Sequence, residues 1–205
     1  GVFNNIKLVI FSNDEHFVHP ETKKLALQGS AKRKMWKEIF MREFDAEIKQ
    51  LPKHVHTVLF TSEHFHSRLR NIGEVKRLND FLEKFFNEIQ ILVYLRRQDL
   101  VATSLYNTLL KGGRIRTEII PHNVDQNNHY FNYDLLLEKW SQVFGRDCVR
   151  VRLFQKDELI NNNIIDDFNG VINIEFATGE YKIPRNQNVS LSKIAQKILL
   201  NYNRL

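Results

Sequence analysis

Two arginines followed by a serine form a set of side chains that could hold a phosphate group. Arg96 and Arg97 come directly after the apolar run Ile91–Leu95, and Ser104 follows Arg96 by eight residues. A guanidinium can donate two parallel hydrogen bonds to phosphate oxygens, and a serine hydroxyl can donate to a third. The pattern therefore predicts a site for a phosphate monoester. The alternative is a surface salt bridge from Arg96 and an ordinary helix serine.

The surrounding elements should place these residues at one edge of a sheet. Ile89–Leu95 is expected to be a buried strand, because its last five residues, Ile91–Leu95, are all apolar or aromatic, and Asp99–Lys111 has the spacing of a helix. Open parallel sheets bind ligands beyond the carboxyl ends of their strands, where Arg96 and Arg97 are expected. Ser104 would lie near a helix N-terminus, whose N–H groups favour anions.

Strand-like and helix-like segments alternate along the chain. We expect three further strands, at Asn5–Ser12, His56–Ser62 and Cys148–Phe154. The other expected helices are Ala31–Lys49, Glu74–Phe85, Phe131–Phe144, Ile164–Phe168 and Ser190–Tyr202, the last with Ser190 as N-cap. This order predicts an α/β fold with a mostly parallel sheet flanked by helices, and the length of 205 residues predicts one domain, residues 1–205.

Composition narrows the range of partners. The formal net charge of +6 predicts an anionic partner, such as a phosphorylated cofactor or an acidic glycan. No helix-turn-helix, zinc-finger or aromatic-basic signature occurs, so specific nucleic-acid binding is not expected. No apolar run reaches about 18 residues, so no membrane partner is expected. The single cysteine, Cys148, fits a reducing compartment, and we expect a cytoplasmic protein.

The arginine–serine element resembles the 3′-phosphate-binding element of sulfotransferases that use 3′-phosphoadenosine 5′-phosphosulfate (PAPS). In bacterial and phage-type members it reads roughly "YLRRQD…S.Y…LK.G", which matches Tyr94–Gly113. "TVLFTSEHF" resembles their second strand with its Ser-Glu pair, and "NVSLS" resembles the start of their terminal helix. The likeness extends in order and spacing from Thr57 to Ser192.

This resemblance implies a P-loop nucleotide-kinase-like sulfotransferase fold, PAPS as the sulfuryl donor, and a hydroxyl of a glycan or similar molecule as the acceptor. It implies that Arg96 and Ser104 hold the 3′-phosphate, with Arg97 and Arg185 as further candidates for nucleotide contacts. Three cations that follow the phosphate element are candidates for binding the acceptor: Lys111, Arg114 and Arg116.

The catalytic base is expected after another strand. Glu63 and His64 follow His56–Ser62, and the resemblance places a Glu or a His at about this position. A base is needed because the acceptor hydroxyl loses its proton as it attacks sulfur. Alternatively, the sequence "SEHF" only caps the next helix, with Ser62 as N-cap.

Histidines also raise the possibility of a metal. His54 and His56 precede the apolar run 57–61, and His64 and His66 follow it. A strand of this length would separate the two pairs by about 20 Å. No cysteine cluster or HExxH motif accompanies them, and no metal site is expected.

One part of the family's pattern has no counterpart. The loop that cradles the 5′-phosphosulfate, roughly "G.(P/H)KTGTT", stabilises charge on the bridging oxygen. The nearest stretch, "GSAKRK" at Gly29–Lys34, lacks a preceding strand and the threonine pair. We therefore expect either a chain whose first βα unit is missing or a degenerate, non-catalytic relative that binds a phosphorylated ligand or a protein partner. Another nucleotide-dependent transferase, such as a kinase, is a third possibility.

Overall fold

The computed structural model describes residues 5–14, 20–120, 125, 128, 130–173 and 190–205. The chain divides into two compact units. The first unit contains residues 1–91 and 132–150, and the second contains residues 92–131 and 151–205.

Helices make up most of the described chain. In chain order the elements are α1 (Ile6–Ser12), α2 (Pro20–Lys24), α3 (Ser30–Lys49), α4 (His64–Arg68), α5 (Ile72–Leu82), β1 (Ile91–Leu95), α6 (Gln98–Lys111), α7 (Tyr133–Phe144), β2 (Val149–Leu153), α8 (Ile164–Ile172) and α9 (Lys193–Tyr202). Short 3₁₀ turns occupy Arg146–Cys148, Lys156–Glu158 and Ile160–Asn162.

An aromatic core fills the first unit. Phe40 and Phe44 lie one turn apart on α3, and both rings contact the ring of Phe81 on α5. The Phe44 and Phe81 centroids are 4.9 Å apart in an edge-to-face arrangement, which aromatic quadrupoles favour. Helix α5 begins with a capping box, in which Asn71 and Glu74 each accept a hydrogen bond from the other's backbone N–H.

Two of the expected strands are wrong. Asn5–Ser12 contains the helix α1, with Leu8, Val9 and Ile10 buried. A short run that is apolar all round can be a buried helix as well as a buried strand, and here packing within the first unit favours the helix. His56–Ser62 is neither a strand nor buried: Leu59, for example, is exposed, and the segment has no strand partner among the described residues.

The second unit holds most of the sheet. β1 and β2 are parallel neighbours, and both were expected as strands. α6 packs on α9, where the Gln196 side chain donates to Asn107 Oδ1 at 2.8 Å. The N-cap of α9 is Ser192, whose hydroxyl accepts from Ala195 N–H, and not Ser190 as expected.

The expected α/β class is confirmed at this coarse level. The described part of the chain combines many helices with one small parallel sheet of two strands. Within that part, no helix has the length and apolar character needed to cross a membrane.

Candidate functional site

The carboxyl ends of β1 and β2 lie side by side in the second unit. The backbone N–H of Phe154, directly after β2, donates to the Leu95 carbonyl at the end of β1, with the two atoms 2.7 Å apart. Arg96 is the next residue after β1. The two strand ends thus bring a guanidinium and an aromatic ring to the edge at which parallel sheets bind ligands.

Arg96 lies over the ring of Phe154. The guanidinium carbon is 5.9 Å from the ring centroid, within the range of a cation–π contact. Phe154 remains partly exposed. A stacked guanidinium uses its face, while its N–H groups lie in its plane and can donate to a planar pair of oxygens. This arrangement is suited to holding a phosphate or carboxylate at the sheet edge.

Arg97 has a different partner from Arg96. Its Nη2 and Nε donate to the two carboxylate oxygens of Asp99, at 2.9 and 3.2 Å, in an exposed pair at the start of α6. Desolvation acts to raise the pKa of Asp99, but hydrogen bonds from Arg97 and from the Leu100 N–H outweigh it and hold that pKa below its ordinary value. The Asp99 carboxylate therefore already occupies the N-terminus of α6, which makes Arg97 the weaker candidate for a phosphate ligand.

Helix α6 has one exposed and one buried side. Ser104, Thr108 and Lys111 are exposed, whereas Ala102, Tyr106 and Leu110 pack inward. The Thr108 hydroxyl donates to the Ser104 carbonyl, and the Ser104 hydroxyl has no hydrogen-bond partner among the described residues. The Ser104 hydroxyl therefore lies open to solvent on the exposed side of α6.

Behind the edge, a buried carboxylate joins the two strands to α8. Asp167 is fully buried, and its oxygens accept from Tyr94 Oη at 2.7 Å, from the Arg152 guanidinium and from Ile160 N–H at 3.1 Å. The hydrogen bonds from Arg152 are the main cause that lowers the pKa of Asp167 to about 2. Burial, and then the hydrogen bond to Asp167, raise the pKa of Tyr94. This network fixes β1 and β2 directly before Arg96 and Phe154.

The expected acceptor-binding cations lie at the last residue of α6 and just beyond it. Lys111 and Arg114 are exposed and Arg116 is partly exposed, while the Arg114 carbonyl accepts from the Asn203 side chain after α9. Arg185 lies outside the described residues.

Glu63 and His64 belong to the first unit, at the start of α4. The Glu63 side chain is 81% exposed, and its Oε1 is 3.9 Å from His64 Nε2. The Ser62 hydroxyl accepts from His64 N–H at 3.2 Å, as the capping alternative requires, although the N-cap position itself is Glu63. Because 56–62 is not a strand, these residues do not follow a strand end as expected.

No three His, Cys, Asp or Glu side chains of the described residues come together as metal ligands would.

Sequence reasoning overlooked Phe154 and the Asp167 network. Phe154 could have been found, because it directly follows β2 just as Arg96 follows β1. Asp167 carries no comparable signal, since its partners Tyr94 and Arg152 are 73 and 15 residues away along the chain.

Comparison with known proteins finds a similarity to an archaeal protein. No family model matches the chain, and no solved structure matches it. A protein of Archaeoglobus fulgidus, described only as an uncharacterized protein, is 31% identical over 124 residues. The match covers 58% of this chain and 32% of that protein, so the chain corresponds to about a third of that relative's length.

Proposed function

We propose that this chain is part of a PAPS-dependent sulfotransferase-like protein with a P-loop sulfotransferase fold, and that the β1–β2 edge binds the 3′-phosphate of the nucleotide. The observation that carries this proposal is the placement of Arg96 over Phe154 at the joined carboxyl ends of two parallel strands. A fixed positive charge at such an edge is suited to a phosphate.

Ser104 supplies the second contact. From Gln98, the first residue of α6, it lies about 9 Å along the helix axis, so the phosphate would sit beside the first two turns of α6 and not at its end. In that position the phosphate would not compete with the Asp99 carboxylate, which already occupies the helix N-terminus. Arg96 would clamp two phosphate oxygens, and the Ser104 hydroxyl would donate to a third.

PAPS would supply the sulfuryl group. That group would be transferred to the acceptor oxygen, with 3′-phosphoadenosine 5′-phosphate as the leaving group. The Glu63 carboxylate or a ring nitrogen of His64 would accept the proton of the acceptor hydroxyl. Glu63 is the better candidate on exposure, because a base must reach an acceptor that arrives from solvent.

The acceptor is proposed to be a glycan or another molecule rich in hydroxyl groups. Three cations at the end of α6 and just beyond it, Lys111, Arg114 and Arg116, would attract an acceptor that also carries negative charge. The location is proposed to be cytoplasmic, in keeping with the single unpaired Cys148.

Calorimetric titration of the whole chain with 3′-phosphoadenosine 5′-phosphate, beside AMP, tests the phosphate site. We expect the bisphosphate to bind more tightly, by roughly ten-fold or more, because hydrogen bonds to a charged group are worth about 1.5–3 kcal/mol. Equal binding of the two nucleotides, or none, would contradict the proposal.

Test variants and matched control variants show whether the phosphate is bound by α6 and the residues that lead into it. Arg96→Ala and Ser104→Ala should each remove most of the preference for the bisphosphate. The matched controls Arg97→Ala and Thr108→Ala change a neighbouring arginine and a neighbouring exposed hydroxyl, and should retain it. A larger loss with the controls than with the test variants would place the phosphate elsewhere.

A further inference from the structure

Helix α9 carries a ridge of exposed apolar side chains. Ile194, Ile198 and Tyr202 are 72%, 62% and 71% exposed and recur every four residues, so they lie in one line along two turns of the helix. They rank among the most exposed large apolar side chains of the described residues. The ridge, defined as these three residues, stands away from the α6 contact, which uses Gln196 and Asn203.

Positive charge borders the ridge. Lys193 and Lys197 each precede a ridge isoleucine by one residue, both are exposed, and Arg204 follows the helix. Residues 190–205 contain these three cations and no acidic residue. Asn203 also donates to the carbonyls of Leu110 and Arg114, so the end of α9 adjoins the basic C-terminal end of α6.

We propose that the ridge of α9 docks on an anionic lipid surface. An amphipathic helix with aliphatic and aromatic side chains on one face and lysines beside them inserts the apolar face at the lipid headgroup boundary while the lysines meet the anionic headgroups. Tyr202 is suited to that boundary, because its ring is apolar and its hydroxyl can remain in water. The proposal is independent of the nucleotide site.

The same charges argue against a second copy of the chain as the occupant. A symmetric pair of α9 helices would bring the lysines of both copies to one seam, where like charges repel. A protein partner would have to offer a groove with acidic residues along one side. A bilayer needs no such groove to accept a convex ridge of only two turns, and binding of this size should be weak and reversible.

Sedimentation of the whole chain with lipid vesicles tests this inference. We expect the chain to bind vesicles of equal parts phosphatidylcholine and phosphatidylglycerol. Binding to pure phosphatidylcholine should be at least about ten-fold weaker, and binding to the anionic vesicles should decline as salt screens the charges. Absence of binding to the anionic vesicles, or equal binding to both kinds, would overturn the proposal.

Variants separate the ridge from a general attraction of a basic protein to anionic lipid. The double variant Ile194→Gln with Ile198→Gln should lower the partition coefficient by about ten-fold per isoleucine. Lys193→Gln with Lys197→Gln should lower it by about five-fold per lysine. The matched control is Met35→Gln with Ile39→Gln, which removes an exposed apolar pair of the same spacing from α3 and should bind as the parent does.

Two outcomes would assign the ridge differently. If the α9 variants and the α3 control bind the vesicles alike, the attraction is not made by the ridge and the proposal fails. If the parent instead dimerises in a concentration-dependent way that the isoleucine variants abolish, the ridge is an interface between copies.

Discussion

Two arginines of the parallel strand pair, one inside β2 and one just beyond β1, have contrasting surroundings. Arg152, within β2, donates to the fully buried carboxylate of Asp167, which also holds Tyr94 and the Ile160 N–H. Arg96, just beyond β1, lies over the Phe154 ring. The first arrangement uses a guanidinium to hold the sheet together. The second uses a neutral ring to hold a guanidinium at the sheet edge, where a ligand can approach.

The largest expected effect comes from removing the buried Asp167 carboxylate. Asp167→Ala removes the acceptor of Arg152, Tyr94 and Ile160 N–H at once and should lower the free energy of unfolding by about 3 kcal/mol or more. The measurement is urea denaturation followed by circular dichroism. Asp99→Ala, which breaks the exposed pair with Arg97, is the control and should leave the urea midpoint nearly unchanged. Similar losses in both variants would contradict the assigned roles.

Acid should weaken the same network. The hydrogen bonds from Arg152 lower the pKa of Asp167 from 3.8 to about 2, so the folded state binds this proton less readily than the unfolded chain does. The stabilisation is therefore present above the unfolded pKa and is lost as the pH falls from about 4 to about 2.

This dependence can be measured as the urea midpoint between about pH 5 and pH 2, with Asp167→Asn as the comparison. The parent should lose more stability over this interval than the variant, which has no carboxyl to protonate at that position. Parallel curves would show that Asp167 is not paired in this way.

The smallest expected effect concerns the contact between Arg96 and the Phe154 ring. Phe154→Leu removes the ring under Arg96 and should weaken binding of 3′-phosphoadenosine 5′-phosphate by about two- to five-fold, the range of an exposed cation–π contact. AMP should bind as it does to the parent, because it lacks the 3′-phosphate. Phe154→Tyr keeps the ring and should bind as tightly as the parent. If the leucine variant also binds as tightly as the parent, Phe154 does not contribute to phosphate binding.

Sequence patterns correctly predicted the elements whose apolar residues repeat with a clear period. The helix expected at Ala31–Lys49 appears as α3, and the helix expected at Asp99–Lys111 appears as α6. Both strands of the sheet were expected, β1 from the apolar run that ends at Leu95 and β2 from the segment Cys148–Phe154. The same patterns place Arg96 at the connection between a strand end and the start of α6, where the structure has it.

The same reasoning failed where a segment's structure depends on its partners. Asn5–Ser12 and Ile89–Leu95 look alike as sequences, yet the first is a helix with Leu8, Val9 and Ile10 buried. His56–Ser62 remains outside the sheet, since a strand exists only where a neighbour pairs with its backbone. The Phe154 contact and the Asp167 network likewise join residues that are distant in sequence, so they emerge only when the strands are paired.

The central claim is that Arg96, and not Arg97, holds the 3′-phosphate, and modification of arginines by phenylglyoxal tests it most directly. Peptide mass spectrometry would follow the modification rates of the two residues with and without 3′-phosphoadenosine 5′-phosphate, with AMP as the control. The account predicts that the bisphosphate slows modification of Arg96 several-fold, while Arg97 is unaffected and AMP protects neither. An unchanged rate at Arg96, or protection of Arg97 in its place, would contradict the account.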